Sequence, residues 1–129
     1  ANHRARRDKD WQTLEAPLDL PGTLRGLPPA QVCMVDCLTL WASNRMLANH
    51  DPEQDLAELI AALGEARGRL ILVSNEIGMG LVPGTPMGRR FRDIQGRLNQ
   101  AVAKQADIVL FVAAGLPLAL KGSLPEGLS

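Results

Sequence analysis

The feature that most constrains the fold is an alternation of short, unbroken apolar runs with stretches of helical periodicity. The runs are QVCMVDCL at 31–38, RLILV at 69–73 and DIVLFVAAG at 107–115. Each is continuous rather than alternating, the pattern of strands buried on both faces of a parallel sheet. In DPEQDLAELIAALGEARG, Asp51 is placed to cap a helix, Pro52 occupies its first position and Gln54 follows three residues past the cap. Leu56, Leu59, Ile60 and Leu63 then form an apolar stripe, and Gly68 reads as the stop. A shorter helix is expected over Leu38–Leu47 and a longer one over 89–105, with Phe91, Ile94, Leu98 and Val102 on one side. Strands alternating with helices imply an α/β chain of βαβ units in a doubly wound sheet. Ligands of such sheets bind beyond the carboxyl ends of the strands. Polar residues stand there: Asp36 ends the first run, and Asn75 with Glu76 follows the second.

The 129 residues suit one domain spanning 1–129, with no internal repeat or low-complexity segment. PLDLPGTLRGLPPA reads as a loop-rich connection and LPEGLS as a frayed tail. Fourteen basic side chains balance fourteen acidic ones, so no whole-molecule field favours nucleic acid or an anionic membrane. Two Trp, two Phe and no Tyr make a base-stacking platform for single strands an unsuitable reading as well. No apolar run is long enough for a membrane span and no secretory signal opens the chain, which makes a cytoplasmic protein the expectation. Cys33 and Cys37 have no usual zinc spacing and read as reduced thiols.

Three features could carry chemistry. An apolar strand ending in Asp36 has the form of a Walker B element, whose carboxylate holds Mg²⁺ beside a nucleotide's phosphates; ordinary buried strands also end in polar residues. The sequence HRARRDK gathers His3, Arg4, Arg6, Arg7 and Lys9 around a single Asp8. Neutral imidazole can attack phosphorus, and neighbouring arginines can neutralise the phosphate being transferred; the same segment also reads as a solvated basic tail. Arg92, Asp93, Gly96, Asn99 and Gln100 project opposite the apolar stripe of their helix, as on any amphipathic helix, but Gly96 is costly mid-helix unless a ligand or another chain packs there. His50 reads as a surface residue, and Trp11 and Glu15 as a local anchor and a loop acid.

The turn NEIGMGLVP at 75–83 spends Gly78 and Gly80 directly after a strand, as expected where another group must approach the backbone. It lacks the Lys of a G-x-x-x-x-G-K-[ST] loop.

HRARRDKDWQTLE at 3–15, VDCLTLWASN at 35–44, SNEIGMGLVP at 74–83 and GRRFRDIQGRLNQ at 88–100 together resemble the bifunctional adenosylcobinamide kinase/adenosylcobinamide-phosphate guanylyltransferase family. The resemblance runs through GLPLALKG near the end. It implies a RecA-like P-loop NTPase fold, mostly parallel, with helices on both faces. Here the family's N-terminal strand, P-loop and first helix are missing from the sequence ahead of His3. It further implies two transferase steps of cobalamin biosynthesis, phosphorylation of adenosylcobinamide and guanylylation of adenosylcobinamide phosphate, with GTP and ATP as substrates and Mg²⁺ as cofactor. By the same resemblance His3 takes the GMP, Arg4, Ala5, Arg6 and Arg7 line the guanine nucleotide, Glu15 contacts it, and Asp36 with Cys37 forms the Walker-B-like strand end, Asp36 holding the metal. The implied assembly is a homo-oligomer, a trimer. The alternative is a non-catalytic remnant that serves as a binding or oligomerisation module.

Overall fold

The computed structural model describes residues 13–75 and 84–127. Helix α1 (Leu20–Arg25) leads into strand β1 (Val32–Asp36), helices α2 (Leu38–Leu47) and α3 (Pro52–Glu65), and strand β2 (Arg69–Val73). Helix α4 (Pro86–Gln105) and strands β3 (Val109–Ala113) and β4 (Leu116–Lys121) complete the order. β1 and β2 pair in parallel, Val32 opposite Arg69 through Asp36 opposite Val73. The connection between them is the expected helical crossover, which parallel strands require.

The helix starts follow local chemistry. Asp51 accepts the Glu53 amide at 3.0 Å and Pro52 sits at a position whose N–H has no helical partner anyway. Thr85 caps α4 by accepting the Gly88 amide at 3.0 Å, again before a proline, so this helix begins three residues earlier than the expected 89. Asp19 caps α1 in the same way through Gly22. The segment read as a loop-rich connection therefore holds a short helix, and that helix matters to packing because Leu20 and Leu24 are buried.

One core joins α1 to α4: Leu20 and Leu24 meet Leu38, Trp41 and Ala42 of α2, Leu59 and Ala62 of α3, and Leu98 of α4. Val35, Leu70 and Leu72 pack against this cluster from the sheet. The other face of β1 and β2 carries Val32, Met34, Ile71 and Val73, 37–55% exposed. Of the helices expected on both faces of the sheet, those among the described residues cover one. Burial alternates along each strand because every described helix packs on one side of the sheet, so a continuous apolar run does not by itself report two-sided burial.

A second correction concerns β3. It does not extend the parallel pair but forms an antiparallel hairpin with β4, a strand missing from the sequence reading. Ala114 and Gly115 connect the two with φ of 54° and 74°, the positive values of the tight hairpin turns whose twist matches that of the strands. Pro117 lies opposite Val112 and lacks a ladder donor, which suits an outer strand.

Candidate functional site at the strand ends

Because β1 and β2 are parallel and in register, Asp36 and Val73 end side by side, and the residues that follow share one rim. Asp36 is exposed there; Cys37, joined to it by a cis peptide, is half-buried and stands at the cap position of α2. Ser74 and Asn75 continue from β2.

α4 reaches this rim with two side chains. Gln95 is fully buried, and its Nε2 donates to Ser74 Oγ at 2.7 Å and to Asn99 Oδ1 at 2.9 Å. Ser74 Oγ donates in turn to Asn99 Oδ1 at 2.6 Å. Asn99 Nδ2 donates to the Asn75 carbonyl at 3.1 Å, while the Asn75 N–H donates to Thr39 Oγ1 at 2.9 Å. Both main-chain groups of Asn75 are therefore held by side chains, one from each flanking helix. Gln95 Oε1 is buried with no hydrogen-bond partner among the described residues. A buried acceptor left unpaired costs about 1–3 kcal/mol, so an apolar side chain of the same size would bury more cheaply.

Gln95 escaped the sequence reading, yet position 95 completes the helical stripe Phe91, Ile94, Leu98 and Val102, and a polar residue on a core stripe is the signal. Asn99, assigned by projection to the face away from the core, is half-buried and bonded to the rim. Gly96 is half-buried, but a Cβ built on it meets no atom within 4 Å. The ten residues before Gly96 are roughly 15 Å of helix. The N-terminal half of α4 carries exposed Arg89 and Arg90 and half-buried Arg92 ahead of Gln95 and Asn99, which meet the first residues after β2.

Of the expected site residues, the structure brings Asp36 and Cys37 to the rim. Glu15 is exposed ahead of α1. His3, Arg4, Ala5, Arg6 and Arg7 lie outside the described residues, as do Gly78 and Gly80. Among the described residues no group of three or more His, Cys, Asp or Glu could hold a metal, and no helix is long and apolar enough to cross a membrane.

A second constellation joins α2 to the segment ahead of α1 and to α3. Trp41 Nε1 donates to the Leu18 carbonyl at 2.8 Å and Asn44 Nδ2 to that of Pro17 at 3.1 Å, pinning the segment ahead of α1 onto α2. Arg45 reaches Leu18 as well and pairs with Asp55 of α3. The carboxylate holds the Arg45 guanidinium above its ordinary value.

A mixed α/β architecture with polar side chains gathered beyond the carboxyl ends of parallel strands is the arrangement of a ligand-binding open-sheet protein. The family model described as cobinamide kinase / cobinamide phosphate guanyltransferase matches residues 1–120, and the chain belongs to that family. It is similar to the bifunctional adenosylcobalamin biosynthesis protein CobP of Pseudomonas aeruginosa, 49% identical over 126 residues that make 95% of this chain and 72% of that protein. It is also similar to the bifunctional adenosylcobalamin biosynthesis protein CobU of Salmonella typhimurium, 33% identical over 93% of this chain and 75% of the relative. The CobU protein of Escherichia coli is 31% identical over the same shares.

Proposed function

We propose that the protein phosphorylates adenosylcobinamide with a nucleoside triphosphate and then transfers GMP from GTP to adenosylcobinamide phosphate, giving adenosylcobinamide-GDP in cobalamin biosynthesis. The observation that carries this reading is the family match over residues 1–120, which takes in both the basic segment around His3 and the strand-end rim around Asp36.

The chemistry asks for a nucleophile, neutralisation of phosphate charge and a fixed leaving group. A neutral nitrogen of His3 attacks the α-phosphorus of GTP, the bond to the bridging oxygen breaks, and pyrophosphate leaves with the electron pair. The resulting phosphoramidate is attacked by a phosphate oxygen of adenosylcobinamide phosphate, and the imidazole departs. Arg4, Arg6 and Arg7 stand beside the nucleophile in sequence and supply delocalised positive charge for the pentavalent phosphorus. Ala5 lies between them, where its main-chain N–H is the group available to the nucleotide, and Glu15 takes the nucleotide's donors. Asp36 is the residue that would hold Mg²⁺. A single carboxylate at an exposed strand end fits an ion that keeps several waters and draws other ligands from phosphates, and the bound ion would offset their charge.

The RecA-like P-loop architecture belongs to the same proposal. It is supported by the parallel β1–β2 pair, by Asp36 at the strand end and by the apolar residues on the sheet face that no described helix covers. A homo-oligomer, a trimer, is the assembly proposed with it.

The test is incubation with α-labelled GTP and Mg²⁺. A protein-bound label is expected that is acid-labile and base-stable, as a phosphoramidate is. An acid-stable label would place the GMP on oxygen instead.

A further inference from the structure

Gln95 is fully buried and its amide joins α4 to the rim, a placement with a consequence for the reaction. Ser74 and Asn75 leave β2 beside the end of β1, where Asp36 and Cys37 stand. Their main chain and hydroxyl are gripped from two directions. Thr39, in the first turn of the helix that Cys37 caps, holds the Asn75 N–H; Asn99 and Gln95 hold Ser74 and the Asn75 carbonyl from α4. The hydrogen bonds thus form a bridge from α4 through the end of β2 to the residues directly after Asp36. The ladder sets Asp36 beside Val73, and beyond it the side-chain clamps hold Ser74 and Asn75 against the start of the helix that follows Asp36.

We propose that Gln95 and Asn99 are positioning residues for the transferase reaction: through Ser74, Asn75 and Thr39 they set where Asp36 stands relative to the chain leaving β2. Neither touches substrate, and both act through the rim. The inference rests on the proposed reading that phosphate chemistry takes place at these strand ends. It accounts for a buried amide at a core position whose oxygen has no partner among the described residues and whose nitrogen is spent on the rim.

The test uses the full chain and four variants: Gln95→Met, Ser74→Ala, Ser74→Thr and Thr39→Val. Amide exchange of Asn75, followed by mass spectrometry or NMR, reads the clamp without reference to activity. Steady-state guanylyl transfer reads its effect on chemistry. Gln95→Met is expected to keep or raise the thermal midpoint, to speed Asn75 exchange at least tenfold, and to lower kcat about tenfold or more with KM for GTP within twofold. Ser74→Ala should follow it, Ser74→Thr should restore kcat by keeping the hydroxyl, and Thr39→Val should free the Asn75 amide. Unchanged exchange and kcat in Gln95→Met would overturn the proposal. So would a kcat loss in Gln95→Met matched by an equal loss of stability, with Ser74→Thr no more active than Ser74→Ala, since that describes packing alone. Should the wild-type chain transfer no GMP, the functional reading falls, whereas the exchange data still decide whether the clamp exists.

Discussion

Arg45 directs two nitrogens at one carboxylate oxygen of Asp55, Nε at 3.0 Å and Nη2 at 2.6 Å, where the side chains are only 18% and 9% exposed. The pair ties α2 to α3, and the same guanidinium reaches the Leu18 carbonyl ahead of α1. Removing one partner strands the other charge in a largely dry site. Asp55→Ala should therefore destabilise the chain by about 3 kcal/mol or more, while replacing both partners with apolar residues of similar volume should recover most of that. Urea midpoints of the two variants check it; equal losses in both would show that packing, not the stranded charge, dominates.

Gly68 shows a backbone constraint of a different origin. A Cβ there would lie 2.4 Å from the Gln31 carbonyl oxygen and 3.0 Å from that of Pro29, both main-chain atoms of the segment entering β1. Neither can turn aside as a side chain would. Gly68→Ala is expected to cost about 1–3 kcal/mol, the range of a forced overpacking, and to leave the far rim intact. A thermal midpoint equal to that of the wild type would contradict the close approach.

Burial pushes the Cys33 thiol up from its ordinary value. The folded chain then keeps that proton to higher pH than the unfolded chain does. The stabilisation is complete below the unfolded thiol's value and declines as pH rises through the folded one. Above about pH 8.5, where an unfolded thiol begins to ionise, wild-type stability should fall more steeply than that of Cys33→Ala. Denaturation midpoints between neutral and alkaline pH read this directly, and parallel curves would contradict it.

The parts of the fold that were legible in the sequence are those decided locally. RLILV is β2 residue for residue, α2 runs over the expected Leu38–Leu47, and the Asp51–Pro52 start of α3 is where its capping chemistry puts it. What was not legible depends on partners distant in the chain. Gly68 was read as a helix stop, yet α3 ends at Glu65 and the glycine answers to Gln31 across the strand entrance. β4 is not legible because a proline inside a ladder is tolerated only on an outer strand, and that position is set by its pairing with β3. Two-sided burial was inferred from apolar runs that supply residues to both faces whether or not both are covered. At the site, Asp36 was visible as the polar end of an apolar run. Gln95 was not, because its role arises only when α4 brings it against Ser74, twenty-one positions earlier.

Passage of GMP through His3 is open to peptide mapping of the guanylylated protein. After brief exposure to GTP and Mg²⁺, kept at alkaline pH, a GMP adduct is expected on the peptide that contains His3, and none in His3→Ala. An adduct on another peptide, or one that persists in His3→Ala, would contradict it.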